Sequence, residues 1–351
     1  MAVDLQHRLV RQAINIAVSK AMDDMKSDAK RSIRNLIDLG LLFSKSENQK
    51  QFFGIAQEVI SNPKNAYHSL TARVIADVNN DTIKKVGLNL GYSSLIYGAN
   101  KLRKRQELFD DLLPWLLIFD ISDFSAESSN QMRRFIAEGR ELGIYSYIVC
   151  PHKIKDIITI CEIAKCFDEC LFVLAASSEL ISEHSAEVIG DTHNMMVSVK
   201  VSGSNLYSKN NEKAFLLLKQ NRCLFGFHTG YNDANMEQVT TLDYIRTAIR
   251  HGNIFGIYLP EDGVSDRCKE KVYQFACDVR GTNGQPLIAF EWLRDMRYIS
   301  EKILTGDGYL KVNLTEIAYD EYKKAKDALT NSLLETLKAL ERLRPCTSTQ
   351  L

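Results

Sequence analysis

Short apolar runs alternate with amphipathic segments through the middle of the chain. Runs of this length are typical of buried strands, and apolar positions three or four residues apart predict helices. The runs predict strands at 116–121, 144–149, 170–175, 195–201, 223–229 and 254–259. The segments between them predict helices at 130–142, 154–167, 180–188, 211–221 and 240–251. This alternation predicts a parallel sheet, either an open β/α barrel or a doubly wound sheet.

The residues before this alternating region show only helical periodicity. A first helix is predicted from a cap at Asp4, and a second pattern continues to about Phe43. Ser46 and Gln49 have the spacing of a capping box at the start of a third helix. Residues 87–113 contain three glycines and predict a tight turn followed by a short helix.

The region after the sixth predicted strand mixes helix and strand patterns. A helix is predicted at 265–279, and the segments 286–293 and 308–313 each predict a strand, the second after a turn pair typical of a hairpin. A long helix is predicted from about Leu314, capped by Asn313. Its apolar stripe is typical of a docked core helix or, alternatively, of a coiled-coil arm, and consists of Tyr322, Ala325, Leu329, Leu333, Leu337 and Leu340.

These patterns divide the chain of 351 residues into three regions. A helical N-terminal region covers 1–113, a parallel β/α partial barrel covers 114–262, and an extension with a hairpin and a long helix covers 263–351. Residues 87–113 contain no proline-rich or serine-rich linker. We therefore expect the N-terminal helices to belong to the same folded unit as the barrel.

The charge balance limits the classes of partner. Lysine and arginine total 44, aspartate and glutamate also total 44, and the formal net charge is zero. This balance argues against a broad surface for nucleic acid or for an anionic membrane. No apolar run approaches the roughly 18 residues of a membrane span, and Met1–Lys20 lacks the pattern of a signal peptide. We therefore expect a cytoplasmic protein with no nucleic-acid and no membrane partner.

Several segments resemble, in their order and spacing, the radical S-adenosylmethionine (SAM) proteins, over about Arg31 to Asn313. The likeness is to a subgroup with a helical N-terminal region and a C-terminal extension. The segments are GLNLGYSSLIYGANKLR (87–103), FIAEGRELGIYSYIV (135–149), SVKVSG (198–203), KAFLLLKQNRCLFGFHTGYND (213–233) and GNIFGIYLPEDG (252–263). The resemblance implies an α/β fold with a partial (β/α)6 TIM-like barrel.

The motifs that carry the chemistry of that family are missing. The resemblance implies three thiolates, spaced C-x3-C-x2-C after the first strand, that hold a [4Fe–4S] cluster, and a glycine-rich turn after the second strand that binds SAM. Here SDFSAESSN (122–130) contains no cysteine, and CPHK (150–153) replaces the turn. We therefore expect a degenerate member, a pseudoenzyme without iron–sulfur cluster, metal or other cofactor.

The eight cysteines offer one other grouping, Cys161, Cys166 and Cys170. Two of them fall on a predicted helix five residues apart, which places their thiols on different faces. We interpret the three as small buried apolar side chains of a reduced protein. An iron–sulfur protein with an unusual cluster is a third alternative for the function.

Functional groups of such a barrel lie at the carboxyl ends of its strands. The candidates there are Asp120, Ser122, Lys200, Ser202, His228, Thr229, Tyr231, Tyr258 and Glu291. Lys200 and Ser202 share strand parity and are predicted to face inward. Two interpretations follow: Lys200 pairs with Asp120 or Glu291 and fills the space of the absent cofactor, or Lys200 and His228 hold an anionic ligand.

The leading hypothesis is therefore a non-catalytic binding or scaffold protein. Its partner would be an active radical SAM relative, a second copy of itself, a peptide, or a small ligand in the barrel. The alternative is an enzyme that uses Lys200, His228 and acidic neighbours for non-radical chemistry. No Ser–His–Asp order, P-loop or dinucleotide fingerprint supports a specific reaction.

Overall fold

Eight parallel strands form a curled half-barrel at the centre of the molecule. The computed structural model describes residues 5–24, 29–44, 46–62, 64–109, 113–121, 124–203, 206, 208–281, 284–303, 308–313, 316–319, 323–325 and 332–342. The parallel strands are β1 (Leu116–Asp120), β2 (Ser146–Cys150), β3 (Leu171–Ser177), β4 (Met195–Val201), β5 (Phe225–Tyr231), β6 (Phe255–Pro260), β7 (Ile288–Glu291) and β8 (Tyr309–Asn313). The predicted α/β class and partial TIM-like barrel are confirmed.

The strand order follows that of a TIM barrel that has been left open. The order is β8-β1-β2-β3-β4-β5-β6-β7, so β1 lies between β2 and β8 while β7 forms one edge. The antiparallel strands β9 (Glu316–Tyr319) and β10 (Lys323–Ala325) extend the sheet beyond β8. The strands predicted at 286–293 and 308–313 correspond to β7 and β8, but they do not form the expected hairpin, because both are parallel strands and they lie apart in the sheet. The hairpin is formed by β8 and β9 instead, and β7 and β8 add two parallel strands to the six predicted for the barrel.

Helices between the strands cover the convex face of the sheet. They are α7 (Ala126–Leu142), α8 (Ile154–Cys166), α9 (Glu183–Gly190), α10 (Lys209–Gln220), α11 (Met236–Val239) and α12 (Leu242–Arg250), with a 3-10 turn at Ser178–Leu180. Helix α7 begins at its cap Ser125 and ends at Gly143, whose φ of 115° is the left-handed conformation that glycine favours at this position. Met132 and Phe135 of α7 pack with Phe119 and Tyr147 of the strands in one large core.

The N-terminal region consists of helices that close the lower end of the barrel, where the strands begin. They are α1 (Leu5–Asp24), α2 (Ala29–Phe43), α3 (Glu47–Ser61), α4 (Tyr67–Asp77), α5 (Asn80–Leu88), a π-helical segment (Asn89–Gly98) and α6 (Ala99–Phe109). The capping box of Ser46 and Gln49 is present. Leu70 and Val86 pack against Leu171 and Phe255 at the first residues of β3 and β6.

The predicted turn at residues 87–113 is wrong. The backbone instead stays helical from α5 through the π-helical segment into α6, and three glycines lie in this helix: Gly87, Gly91 and Gly98. A Cβ at Gly98 would lie 2.4 Å from the carbonyl oxygen of Gly143. The glycine is therefore explained by a close backbone approach between helices and not by a turn.

The free edge of β7 is covered by side chains of its neighbouring helices, α13 (Asp266–Arg280) and α14 (Trp292–Ile303). Arg280 and Asp295 form a bidentate ion pair with both N···O distances at 2.7 Å. Arg280 also donates to the Ala289 carbonyl at 3.2 Å, and Asp295 accepts from the Glu291 amide at 2.8 Å. The ion pair thus binds the backbone groups that a further strand would use.

The concave side of the half-barrel is filled by α14. Trp292 and Met296 pack in one cluster with Leu116 and Ile118 of β1. The helix therefore crosses the opening between β7 and β8 on the inside of the sheet.

The long C-terminal helix predicted from Leu314 is wrong at its beginning, because residues 316–319 and 323–325 form β9 and β10. A shorter helix, α15 (Leu333–Arg342), docks on α7. The Glu138 carboxylate accepts from the Leu333 amide at 2.7 Å and caps the helix. Leu333 and Leu337 are buried as a docked stripe predicts, whereas Tyr322 and Leu329 lie outside the described residues.

Candidate functional site

Strand register determines which side chains reach the opening at the carboxyl ends of the strands, called the mouth here. Phe119, Val199 and Phe227 are fully buried against the convex helices. Side chains alternate between faces along a strand, so their neighbours Asp120, Lys200 and His228 lie on the concave face. Lys200 stands directly beside His228 in the parallel register of β4 and β5.

Asp120 joins three elements at one side of the mouth. Its Oδ1 atom lies 2.8 Å from Nε2 of His152, and its Oδ2 atom lies 2.8 Å from Nζ of Lys311. Burial would raise the pKa of Asp120, but the hydrogen bonds from Lys311 and His152 outweigh it and lower the pKa below that of an ordinary aspartate. Asp120 is therefore held as a carboxylate, and its partner is Lys311 and not Lys200.

The side chains near Asp120 are not those that would bind the iron–sulfur cluster of the radical SAM proteins that the sequence resembles. The family's thiolates would follow β1, where this chain has Ser125 as a helix cap and α7 from Ala126 onward. The thiol of Cys150 at the end of β2 has a pKa raised to about 12, because it is buried and lies near Asp120. A thiol with so high a pKa is a poor metal ligand, since the thiolate is the binding form.

The other grouping of cysteines lies away from the mouth. Cys161 is buried within α8, and Cys170 is buried directly before β3, at the lower end of the barrel. Cys166 is exposed, contrary to the interpretation of all three as buried side chains. The described part of the chain contains no group of three or more His, Cys, Asp or Glu side chains placed to hold a metal ion.

Lys200 and His228 form a second polar position in the mouth. Lys200 is exposed, and no described carboxylate lies within ion-pair distance of it. Nδ1 of His228 lies 2.9 Å from the buried hydroxyl of Ser198. Burial, with a further effect from the Lys200 charge, lowers the pKa of His228 to about 4. At neutral pH this position therefore offers one ammonium group and one neutral imidazole, and we call it the Lys200 site.

Four of the residues predicted for the mouth lie on the convex face instead, namely Thr229, Tyr231, Tyr258 and Glu291. Tyr258 and Glu291 are paired in register with each other and share the face of Phe227. The Tyr231 hydroxyl donates to Glu291 at 2.7 Å, and the side chains of Tyr231, Tyr258 and Glu291 are fully buried. Burial raises the pKa of Glu291, against the hydrogen bonds that it accepts. Each of the four lies an odd number of positions along its strand from the residue that is level with Lys200, and an odd offset places a side chain on the opposite face. Thr229 and Tyr231 lie one and three positions after His228, and Tyr258 and Glu291 lie one position after Ile257 and Phe290.

Thr229, Ser202 and Ser122, which were also predicted for the mouth, lie in three different places. Thr229 is fully buried on the convex face, Ser202 is exposed just beyond β4, and Ser122 lies outside the described residues. Sequence reasoning missed Lys311 and His152. His152 could have been predicted as a mouth residue, because it lies two residues after the end of β2. The contact of Lys311 with Asp120 could not, because it depends on the pairing of β8 with β1.

The fold and these side chains define a parallel β/α half-barrel with a charged mouth. No protein-family model matches the chain, and no curated protein matches it. Among solved structures, it is similar to Streptococcus suis SuiB bound to the precursor peptide SuiA, at 12% identity and a TM-score of 0.48, over 69% of each chain. A structure of SuiB alone gives 12% identity and a TM-score of 0.46, over 83% of this chain and 78% of that one.

A third similar structure is oxaloacetate acetylhydrolase in complex with 3,3-difluorooxalacetate, at 12% identity and a TM-score of 0.34. This match covers 58% of the present chain and 86% of that chain. These scores are too low to define a family, so the strand order described above carries the fold class.

Proposed function

We propose that this protein is a cofactor-independent relative of the radical SAM barrels that binds a small anionic ligand in its mouth. The resembling segments support the relation, since SVKVSG forms the end of β4 and GNIFGIYLPEDG forms β6 and its exit. The segment that follows β1 contains no cysteine, which supports a function that does not need an iron–sulfur cluster. The protein acts by binding and not by radical chemistry.

The observation that carries the proposal is the state of Lys200. Lys200 is exposed at the carboxyl end of β4, where its ammonium group is accessible to a ligand from solvent. Among the described residues, the carboxylate of Asp120 is taken by Lys311 and that of Glu291 by Tyr231. Lys200 is thus the cation in the mouth that an anionic ligand would neutralise.

An enzymatic alternative is supported by one arrangement, the Asp120–His152 pair. A carboxylate that accepts from Nε2 of a histidine leaves Nδ1 available as a proton acceptor. Ser198 beside His228 is a poor nucleophile because its side chain is 2% exposed. Incubation of the protein with any ligand that binds, followed by mass spectrometry, would reveal turnover, and turnover lost in His152→Gln would support this alternative.

The binding proposal is tested by a thermal-shift screen with acetate, lactate, phosphate and citrate on three forms of the protein. The wild type is expected to gain stability with at least one anion, by about 2.7 kcal/mol when the ligand is at 100 times its dissociation constant. Lys200→Met should lose this gain. Lys213→Met is the matched control, because Lys213 is an exposed lysine on the outer helix α10.

The same screen separates the two interpretations of Lys200. If Lys200 only occupies space, Lys200→Met should be neutral or mildly stabilising and no anion should distinguish the two forms. Equal gains in the wild type and in Lys200→Met would place the ligand elsewhere and contradict the proposal.

The proposal also covers the cellular location and the macromolecular partners. Among the described helices, none is long and apolar enough to cross a membrane. The proposal includes action in the cytoplasm, without nucleic acid. An active relative, a peptide or a second copy of the chain stays a predicted partner, and light scattering after gel filtration would test the second copy.

A further inference from the structure

The concave face of the sheet stays partly open to solvent between β2 and β6. In β2, β3 and β6, every second residue from the middle of the strand towards its carboxyl end is partly exposed, and the residues between them are buried. A side chain in the interior of a sheet keeps such exposure only where the space above it is open. Most of the partly exposed side chains are apolar. Five of them, which we call the apolar cleft, are Ile148, Val173, Ala175, Ile257 and Leu259.

The apolar cleft borders helix α14 from two different strands. Trp292 and Met296 of α14 form a cluster with β1. Ile148 of β2 packs against this cluster, and so do Ile257 and Leu259 of β6. Helix α14 therefore fills the concave side next to β1, and the partly exposed side chains of β2 and β6 form one continuous apolar surface with it.

Lys200 lies at the rim of the apolar cleft. It is level with His228, and His228 is level with Ile257, so Lys200 and Ile257 share the concave face two strands apart. Neighbouring strands are about 4.8 Å apart, which gives about 10 Å between the two backbones. Ala175 of β3 is level with Ser198 and therefore lies one concave position deeper than Lys200. The ammonium group is thus at the solvent end, with apolar surface beside it and below it.

The other charges on this face direct an anion to Lys200. The carboxylate of Asp120 is already bonded to two cationic or polar partners within the protein. The carboxylate of Glu261 lies beside Gly230 on the concave side of β5, where a Cβ would be 2.6 Å from Oε1 of Glu261. An anion that enters the mouth is therefore repelled by Glu261 and attracted by Lys200.

We propose that the apolar cleft and Lys200 together bind monocarboxylates that carry an apolar chain or ring. The carboxylate pairs with the Lys200 ammonium at the rim, and the apolar part lies in the cleft towards Ile257. With carbon–carbon bonds of about 1.5 Å, a zigzag chain of about eight carbons spans the roughly 10 Å between the two strands. This inference rests on the proposed function and specifies its ligand.

Other ligands satisfy only part of this surface. Acetate and phosphate reach Lys200 but leave the apolar cleft exposed to water. A dicarboxylate of the same length places its second charge against apolar side chains, which costs free energy. A neutral alcohol lacks the charge that pairs with Lys200. The affinity should therefore follow apolar length among ligands with one carboxylate.

The test is a titration of the wild type by calorimetry or NMR with acetate, butyrate, hexanoate and octanoate. Full burial of one CH2 group is worth a factor of about four in affinity, and partial burial in an open cleft a factor of about two. Each added pair of CH2 groups should therefore increase the affinity about four- to sixteenfold. Adipate and 1-hexanol match hexanoate in length, and each should bind at least about tenfold more weakly than hexanoate.

Variants assign the dependence on chain length to the cleft. Ala175→Leu fills the cleft and should reduce the affinity for hexanoate to that for acetate. Ile257→Thr shortens the side chain and adds a hydroxyl, and should lower the gain per CH2 group. Ile16→Thr is the matched control and should change nothing, because Ile16 is 70% exposed on α1. The wild-type series remains decisive if a cleft variant does not fold.

The outcomes distinguish this inference from the proposed function. Equal binding of acetate and octanoate, lost in Lys200→Met, overturns the apolar cleft but leaves an anion site. A gain with chain length that Ala175→Leu and Ile257→Thr both retain places the apolar chain elsewhere and also overturns the cleft. A gain that 1-hexanol shares and that Lys200→Met retains shows a cleft for neutral groups, such as the side chains of a peptide, and overturns both. Absence of binding by the whole series and by phosphate overturns both as well.

Discussion

Asp120 shows how one carboxylate at a strand end can join parts of the chain that are distant in sequence. It binds Lys311 of β8 and His152 after β2 through its two oxygens. These two contacts connect the segments after β1 and β2 to the C-terminal extension.

Asp120→Asn should destabilise the protein at pH 7, and the loss should be smaller at pH 3. The folded pKa of Asp120 is lower than its unfolded value. Its stabilisation is therefore present above the unfolded pKa of about 3.9 and is lost as the pH falls through the folded pKa. We expect a cost of roughly 0.5–1 kcal/mol at pH 7, since the pair is partly exposed.

Urea unfolding at both pH values measures this difference. Glu187→Gln is the control, because its contact with His184 is solvent-exposed at 3.9 Å. A loss for Asp120→Asn that is the same at pH 3 and pH 7 would show that the charge is not its cause.

His228 should make the stability of the fold depend on pH in a different window. Its folded pKa of about 4 is below the unfolded value of about 6.5. Between these values the unfolded state binds more protons, so stability should rise with pH from 4 to 6.5. His228→Phe should reduce this slope and the exposed control His184→Gln should not. An unchanged slope in His228→Phe would contradict the burial of a neutral ring.

At this scale the sequence predicted neither faces nor partners reliably. Alternation along β4 places Lys200 on the concave face, where His228 is its neighbour in register, and the role of the two residues as a ligand site stays a prediction. The assignment to faces failed for Tyr231, Tyr258 and Glu291, because residues near a strand end were assigned to the mouth without counting parity. The partner of Asp120 depended on a strand pairing between distant segments, which no local pattern specifies.

At the scale of elements, β7 shows how the edge of the sheet is protected; it is a four-residue strand at that edge. Arg280 and Asp295 bind its outward-facing Ala289 carbonyl and Glu291 amide. Removal of one partner leaves the other charge half-buried and frees the backbone groups of the edge.

Asp295→Ala should therefore destabilise the protein by about 3 kcal/mol, as expected for breaking a buried ion pair. Chemical denaturation measures the change. The matched control is Asp266→Ala, because Asp266 pairs with Lys269 on the same helix as Arg280 but is fully exposed, and its effect should stay within about 0.5 kcal/mol. Similar values for the two variants would mean that the Arg280 pair contributes little.

Elements with a strong local pattern were predicted closely, and those set by tertiary contacts were not. The boundaries of β4 and α8 were nearly those of the structure, since apolar periodicity and capping residues determine them. The π-helical segment was predicted as a turn from its glycines. The residues after Asn313 were predicted as a helix from their spacing, although pairing with β8 places Glu316–Tyr319 in a strand.

At the scale of the molecule, the N-terminal helices are joined to the barrel by packing and hydrogen bonds. Arg73 of α4 donates to the carbonyls of Pro286 at 2.8 Å and of Asn253 at 2.9 Å. Leu70 and Val86 cover the first residues of barrel strands. These contacts support a single folded unit.

A fragment of residues 88–351 should therefore be insoluble or should melt well below the full chain, because truncation exposes the apolar lower end of the barrel. Limited proteolysis of the full chain should release no stable fragment that begins near residue 88. A soluble fragment with an unchanged melting temperature would show that the helices are a separate domain.

Anaerobic treatment with iron and sulfide should leave the protein without bound cluster. The chain has no thiolate set after β1, and the Cys150 thiol has a pKa near 12. Iron is measured per chain after desalting, with Cys161→Ser and Cys170→Ser as comparison. About four irons per chain, lost in these variants, would support an unusual cluster instead.

The position of β1 between β2 and β8 has a consequence for synthesis on the ribosome. Its first neighbour emerges soon after it, but its second emerges only when the chain has been made as far as β8. At a synthesis rate of about 5–20 residues per second, the edge of β1 that pairs with β8 stays unpaired for roughly ten to forty seconds. During that interval the nascent half-barrel has unpaired edges, and chaperones that bind exposed strands would have their longest access to this chain.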